Sequence, residues 1–200
     1  MAGRQTSFRS MRAIRRLLLS ACWTAVLLGA IWRPYAAEAE PNDQPREAAV
    51  KVAFVYNFAK FAIWPGERFQ STEDPIVLCA RHGDLDREAL HAIEGRPVGG
   101  HPILVRMLDP GAAINACHIY FASGFASETA LQDVLARARR GAVLLVSDKP
   151  GFAGLGGHIG LIEDRKRLRF QVNLQAVTQA GVRLSSKLLQ LAEIVEAVRK

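Results

Sequence analysis

Residues 51–65 read KVAFVYNFAKFAIWP, and this stretch decides how the rest of the chain is arranged. Val52, Ala53, Phe54, Val55, Tyr56, Phe58, Ala59, Phe61, Ala62, Ile63 and Trp64 are apolar, and only Lys51, Asn57 and Lys60 keep an arc polar. At 3.6 residues per turn, Phe54, Phe58, Phe61 and Ala62 share a face, with Val52, Val55, Ala59 and Ile63 beside them. A helix apolar over so much of its circumference is covered nearly all round or meets another chain, and a buried core helix is the plainer expectation. Pro65 stops it, since the residue before a proline is pushed out of helical geometry. The helix is therefore predicted to begin near Glu47 and to run up to Trp64.

Upstream, Arg4 to Arg16 form a positive segment, Leu17–Trp32 is an apolar run of sixteen, and Ala37-Glu38-Ala39 has the small-x-small form of a cleavage site. The run is short for a membrane-spanning helix, so residues 1–39 are expected to be a cleaved signal peptide and the mature protein to be exported. Leu19-Ser20-Ala21-Cys22 superficially matches an acylation box, but it stands at the start of the apolar run when such a box belongs at its end. Arg15-Arg16 fits a twin-arginine signal poorly.

This leader also explains the charge. The chain carries 26 basic and 19 acidic residues; residues 1–39 hold six of the former and one of the latter, leaving 20 against 18. A nearly balanced body argues against nucleic acid as a partner, since that needs a clustered positive excess. Beyond the leader only Cys79 and Cys117 remain, and in an oxidising compartment two cysteines are more often bonded than free.

Residues 40–46 read as a flexible lead-in, and 47–200 as a single domain. Strands are predicted at 76–81, 102–108, 118–122 and 142–147, and helices at 84–94 and 127–140, the latter capped by Ser127. Asp109-Pro110 has the form of a short helix start. This alternation is the signature of parallel winding. A glycine-rich loop, 148–157, precedes an antiparallel hairpin of 158–162 and 168–172. Asn173 caps a short helix to Ala180, and a last helix is predicted from Ser185 or Ser186 to Lys200. The expected fold is thus a layered α/β sandwich: a mostly parallel sheet of about six strands with a C-terminal hairpin and helices on both faces.

Catalytic constellations fail in turn. Gly151, Gly154, Gly156 and Gly157 fit no phosphate-cradle spacing and lead into a strand, so a mobile surface loop is expected. His82, His91, His101, His118 and His158 show no ligand spacing, so no metal is expected. No GxSxG elbow occurs, and acidic pairs fall in charged turns. Neither an enzyme nor a cofactor is implied. Phe152 in the glycine loop, with His158, Arg165, Arg167 and Arg169, is the candidate partner contact, although a basic turn is by itself most simply a solvated one.

The aromatic helix ending in Trp-Pro (Phe54, Tyr56, Asn57, Phe58, Phe61, Trp64, Pro65), a following Cys-bearing strand and LSSKLLQLAEIV at 184–195 together resemble the YfiR family of small exported regulators. The likeness covers about Ala49 to Val195. It implies a periplasmic protein, often a homodimer, that restrains a membrane-anchored diguanylate cyclase by binding its extracytoplasmic domain. An OmpA-like peptidoglycan-associated lipoprotein can draw that restraint away. Cys79 and Cys117 match the family's strand-borne pair. The second pair that some members carry near the glycine loop is missing, which puts oxidative switching in doubt here. The competing expectation is a small-ligand module serving a sensor kinase or transport system, with its pocket around Ala80–Gly83, Ser123 and Ser147-Asp148.

Overall fold

The computed structural model describes residues 44–165 and 167–197. The leader, residues 40–43, Lys166 and residues 198–200 lie outside the described residues. Helix α1 spans Gln44–Phe61, so it starts three residues ahead of the predicted Glu47 and takes in the end of the expected lead-in. It also ends earlier than Pro65 alone would dictate. Ala62–Ile63 leave the helix as strand β1, which pairs antiparallel with β9, Arg183–Leu184. Pairing with a distant segment thus terminates the helix before proline geometry has to. The buried stripe runs through Val52, Val55, Phe58 and Ala59, while Phe54 and Phe61 are half-buried.

The main sheet has eight strands, more than the six or so expected. In chain order these are β2 (Ile76–Arg81), β3 (Pro97–Val98), β4 (His101–Leu108), β5 (Ile119–Phe121), β6 (Leu144–Ser147), β7 (Ile159–Asp164), β8 (Arg167–Val172) and β10 (Glu193–Ile194). Their spatial order is β10-β8-β7-β6-β5-β2-β4-β3. Neighbours from β4 to β7 are parallel, β7–β8 is the predicted antiparallel hairpin, and β3 pairs antiparallel with β4 across a Gly-Gly turn. The extra strands are the two-residue pairs β3 and β10, too short to give a periodic signal.

Alternate residues of each central strand point to opposite faces. Ile76, Leu78, Ala80, Ile119, Phe121, Leu144 and Val146 join α1, α2 (Arg87–Ile93) and Leu188 in one core. Val77, Cys79, Tyr120 and Leu145 join Leu131, Leu135 and Ala138 of α3 (Glu128–Gly141) in the other. Helices therefore cover both faces, as expected. Ser127 caps α3 by accepting from the Ala130 N–H, and Asp86 caps α2 by accepting from Ala89, two residues later than the predicted helix start. Asn173 caps α4, Leu174–Gln179, as predicted.

Two predicted helices are corrected. Asp109-Pro110 opens only turns. The C-terminal helix is a single turn, α5 (Ser186–Leu189), after which the chain extends as β10 parallel to β8. Its leucines do not make one continuous buried stripe: Leu188 is buried, whereas Leu191 is 74% exposed. The sheet edge at β8 offers hydrogen bonds that a helix face without a core to meet does not outweigh.

Candidate functional site

The winding order gives the sheet a switch point. From β2 the chain steps to β4 on one side, and later strands fill the other side in sequence. The connections after β2 and β5 consequently run to opposite faces, and the carboxyl ends of these strands are where open α/β sheets place ligands. A polar network lies there. Asp84 accepts from Arg81 Nε at 2.9 Å and from the Ser123 N–H at 3.1 Å. The Ser123 hydroxyl lies 3.3 Å from Asp148 Oδ2, which also takes Lys51 Nζ at 2.8 Å. Lys51 reaches Glu47 at 2.8 Å as well. Burial works to lower the Lys51 pKa, but the two carboxylates outweigh it and hold the ammonium above its ordinary range. The bond to Asp84 likewise raises Arg81 against its own burial. Ser147 is buried and donates to the Ala122 carbonyl at 2.5 Å. The structure thus brings together the groups expected to line a ligand pocket, with Lys51 and Asp84 added, and bonds their charges to one another.

The amino ends of the strands carry a different arrangement. Cys79 in β2 and Cys117, two residues before β5, form a disulfide with Cα atoms 5.8 Å apart. The next residue, His118, is buried, and its Nδ1 accepts the Val77 N–H at 3.0 Å while its own backbone N–H donates to the Val77 carbonyl at 2.8 Å. The ring stacks on Phe69, and the Trp64 indole donates to the His118 carbonyl at 3.2 Å. His158 repeats the device before β7, with Nδ1 accepting from the Leu145 N–H at 3.1 Å. Burial pushes both imidazoles down to about 4, aided by the charge of Arg68 at His118 and of Arg139 at His158. These two histidines complete ladders where a strand begins. Their role went unseen because it depends on strand register and not on spacing along the chain.

The partner contact expected on the glycine loop needs correction. Phe152 is 1% exposed and His158 3%, so neither is presented to a partner on the surface of this fold. Phe152 stacks on Phe125 within the second core, and a Cβ on Gly157 would overlap the Phe152 ring. That glycine serves close packing. Arg165 stands in the turn of the β7–β8 hairpin with φ +50°, Arg167 begins β8, and Arg169, two residues further along it, pairs with Asp164 at 3.2 Å on the surface. Of the signature helix, Phe58 and Trp64 are buried, whereas Asn57 is exposed.

Among the described residues no group of three or more acidic, histidine or cysteine side chains is placed to hold a metal, and no helix is long and apolar enough to cross a membrane. No curated protein matches the chain. A family model described as YfiR/HmsC-like matches residues 48–193, from the second turn of α1 to the start of β10. That span takes in the disulfide, both cores and the hairpin, and the chain belongs to the YfiR/HmsC-like family.

Proposed function

We propose that the mature chain is a periplasmic, non-enzymatic regulator that binds the extracytoplasmic domain of a membrane-anchored signalling enzyme, a diguanylate cyclase, and restrains it. The observation that carries this reading is the family match over residues 48–193. Regulation of this kind requires only that the protein bind one state of its partner more tightly than another. An OmpA-like lipoprotein competing for the regulator would release the enzyme.

The contact surface in this reading is the hairpin. Arg165 lies in the hairpin turn and Arg167 and Arg169 on the outward side of β8, and all three side chains are exposed and belong to neither core. Their replacement can therefore test binding without unfolding the protein. In a pull-down of the membrane-anchored cyclase, the triple change Arg165→Ala, Arg167→Ala, Arg169→Ala is expected to abolish retention while the thermal midpoint holds. Undiminished retention would remove the hairpin from the contact.

The Lys51–Asp148–Ser123–Asp84–Arg81 network favours a second reading, a ligand-sensing module for a kinase or transporter. Gene neighbourhood separates the two. An adjacent gene for a membrane protein with a cyclase domain supports the regulator, and a sensor kinase or outer-membrane receptor alone supports the module.

A further inference from the structure

A cavity of about 400 Å³ lies where the end of α3 meets the segment leading to Cys117, lined by Arg68, Ala113, Asn115, Arg137, Arg140 and Gly141. It is lined by none of the Lys51–Asp148 network or the hairpin. Three arginines from two distant parts of the chain line it. Arg68 is held rigidly: Nη1 donates to the Asn115 carbonyl at 3.0 Å and Nη2 to the Cys117 carbonyl at 2.8 Å. Its Nε is buried and has no hydrogen-bond partner among the described residues. That atom has almost no accessible surface, so what Arg68 can offer a ligand is the second N–H on each of Nη1 and Nη2, which the two carbonyls leave over.

Charge compensation is incomplete as well. Arg137 Nη2 reaches Asp133 at 2.7 Å, a pair half-exposed to solvent. Among the described residues Arg68 and Arg140 form no ion pair. The negative end of the α3 dipole accounts for a cation in its last turn. It does not account for Arg68, which arrives from the turn after Pro65 and brings a third positive charge to the same cavity.

We propose that this cavity binds an oxyanion, the phosphate or carboxylate group of a small soluble ligand. Guanidinium forks match the paired oxygens of either group, and charge-assisted bonds of this kind are about twice as strong as neutral ones. The volume suits a compact ligand, at the small end of ordinary binding pockets. Because Arg68 holds the carbonyl of Cys117, occupancy also braces the segment that carries the disulfide. This ligand is additional to the protein partner proposed above, and either can exist without the other.

Calorimetric titration of the purified protein with inorganic pyrophosphate and, separately, with citrate, both against sodium chloride at matched ionic strength, tests the proposal. Saturable one-site binding of at least one anion is expected. Tighter pyrophosphate binding identifies a phosphate-bearing ligand, and tighter citrate binding a carboxylate. Arg137→Ala with Arg140→Ala should weaken binding at least about tenfold with an unchanged thermal midpoint, since both lie on the outer part of α3. If that pair lowers the midpoint, Arg140→Ala alone must still weaken binding. Absence of saturable binding by either anion, or affinity undiminished in the variants, overturns the proposal.

Discussion

His118 and His158 show how single residues set the behaviour of this molecule. Each is buried as a neutral acceptor of a backbone N–H, with its pKa pushed from the ordinary 6.5 down to about 4. The unfolded chain therefore binds more protons than the folded one between these values. Stability is complete above about pH 6.5 and falls as the pH drops toward 4, where the folded imidazoles themselves protonate. At pH 5 the linkage through His158 alone amounts to about 2 kcal/mol. Urea denaturation at pH 7.5 and pH 5 should show that loss, and equal midpoints would contradict it. The Cys79–Cys117 crosslink closes a separation of 38 residues, for which chain entropy gives roughly 4 kcal/mol as an upper figure. Replacing both cysteines by alanine should lower the unfolding free energy by several tenths to all of that amount, and reductant should change the parent protein but not the variant. The cysteine pair was legible because the leader read in the sequence implies export, and an oxidising compartment leaves few thiols unbonded. It hid the histidines, whose acceptors and donors lie on neighbouring strands.

At the level of elements, legibility followed local signals. Ser127 and Asn173 announce helix starts through their own side chains, and each caps the helix expected of it, whereas the cap of α2 falls on Asp86, two residues past the predicted start. Elements ended by distant partners were less visible. The pairing of Ala62–Ile63 with Arg183–Leu184 cuts α1 short, and the pairing of Glu193–Ile194 with β8 converts a leucine-rich tail from helix to strand. The glycine loop was misread for a related reason. Glycines suggest mobility, yet here Gly157 lets the Phe152 ring lie against the backbone and close the second core. Gly157→Ala is accordingly expected to displace Phe152 and cost about 1–3 kcal/mol, typical of overpacking. Gly124→Ala, where φ is not in the left-handed region and nothing lies within 4 Å of the added Cβ, changes no packing and serves as the control. Comparable losses in the two variants, measured by denaturation, would contradict the packing role.

The described residues form a sheet with a core on each face, a charged network at the carboxyl ends of its parallel strands, buried histidines at the amino ends and a disulfide that ties β2 to the segment entering β5. The family was legible because its signature is local, an aromatic segment that runs from α1 through β1 to Trp64-Pro65. The placement of Phe152 and His158 was not, because burial is decided by tertiary packing. With those two inside, the regulatory reading rests on the exposed basic hairpin and on partner binding, with no chemistry performed by the chain itself. Its most direct test is the cellular level of cyclic di-GMP in the native host after deletion of the gene. A rise is expected, reversed by the wild-type gene and not by one encoding the triple hairpin variant; an unchanged or lower level would rule out restraint of a cyclase.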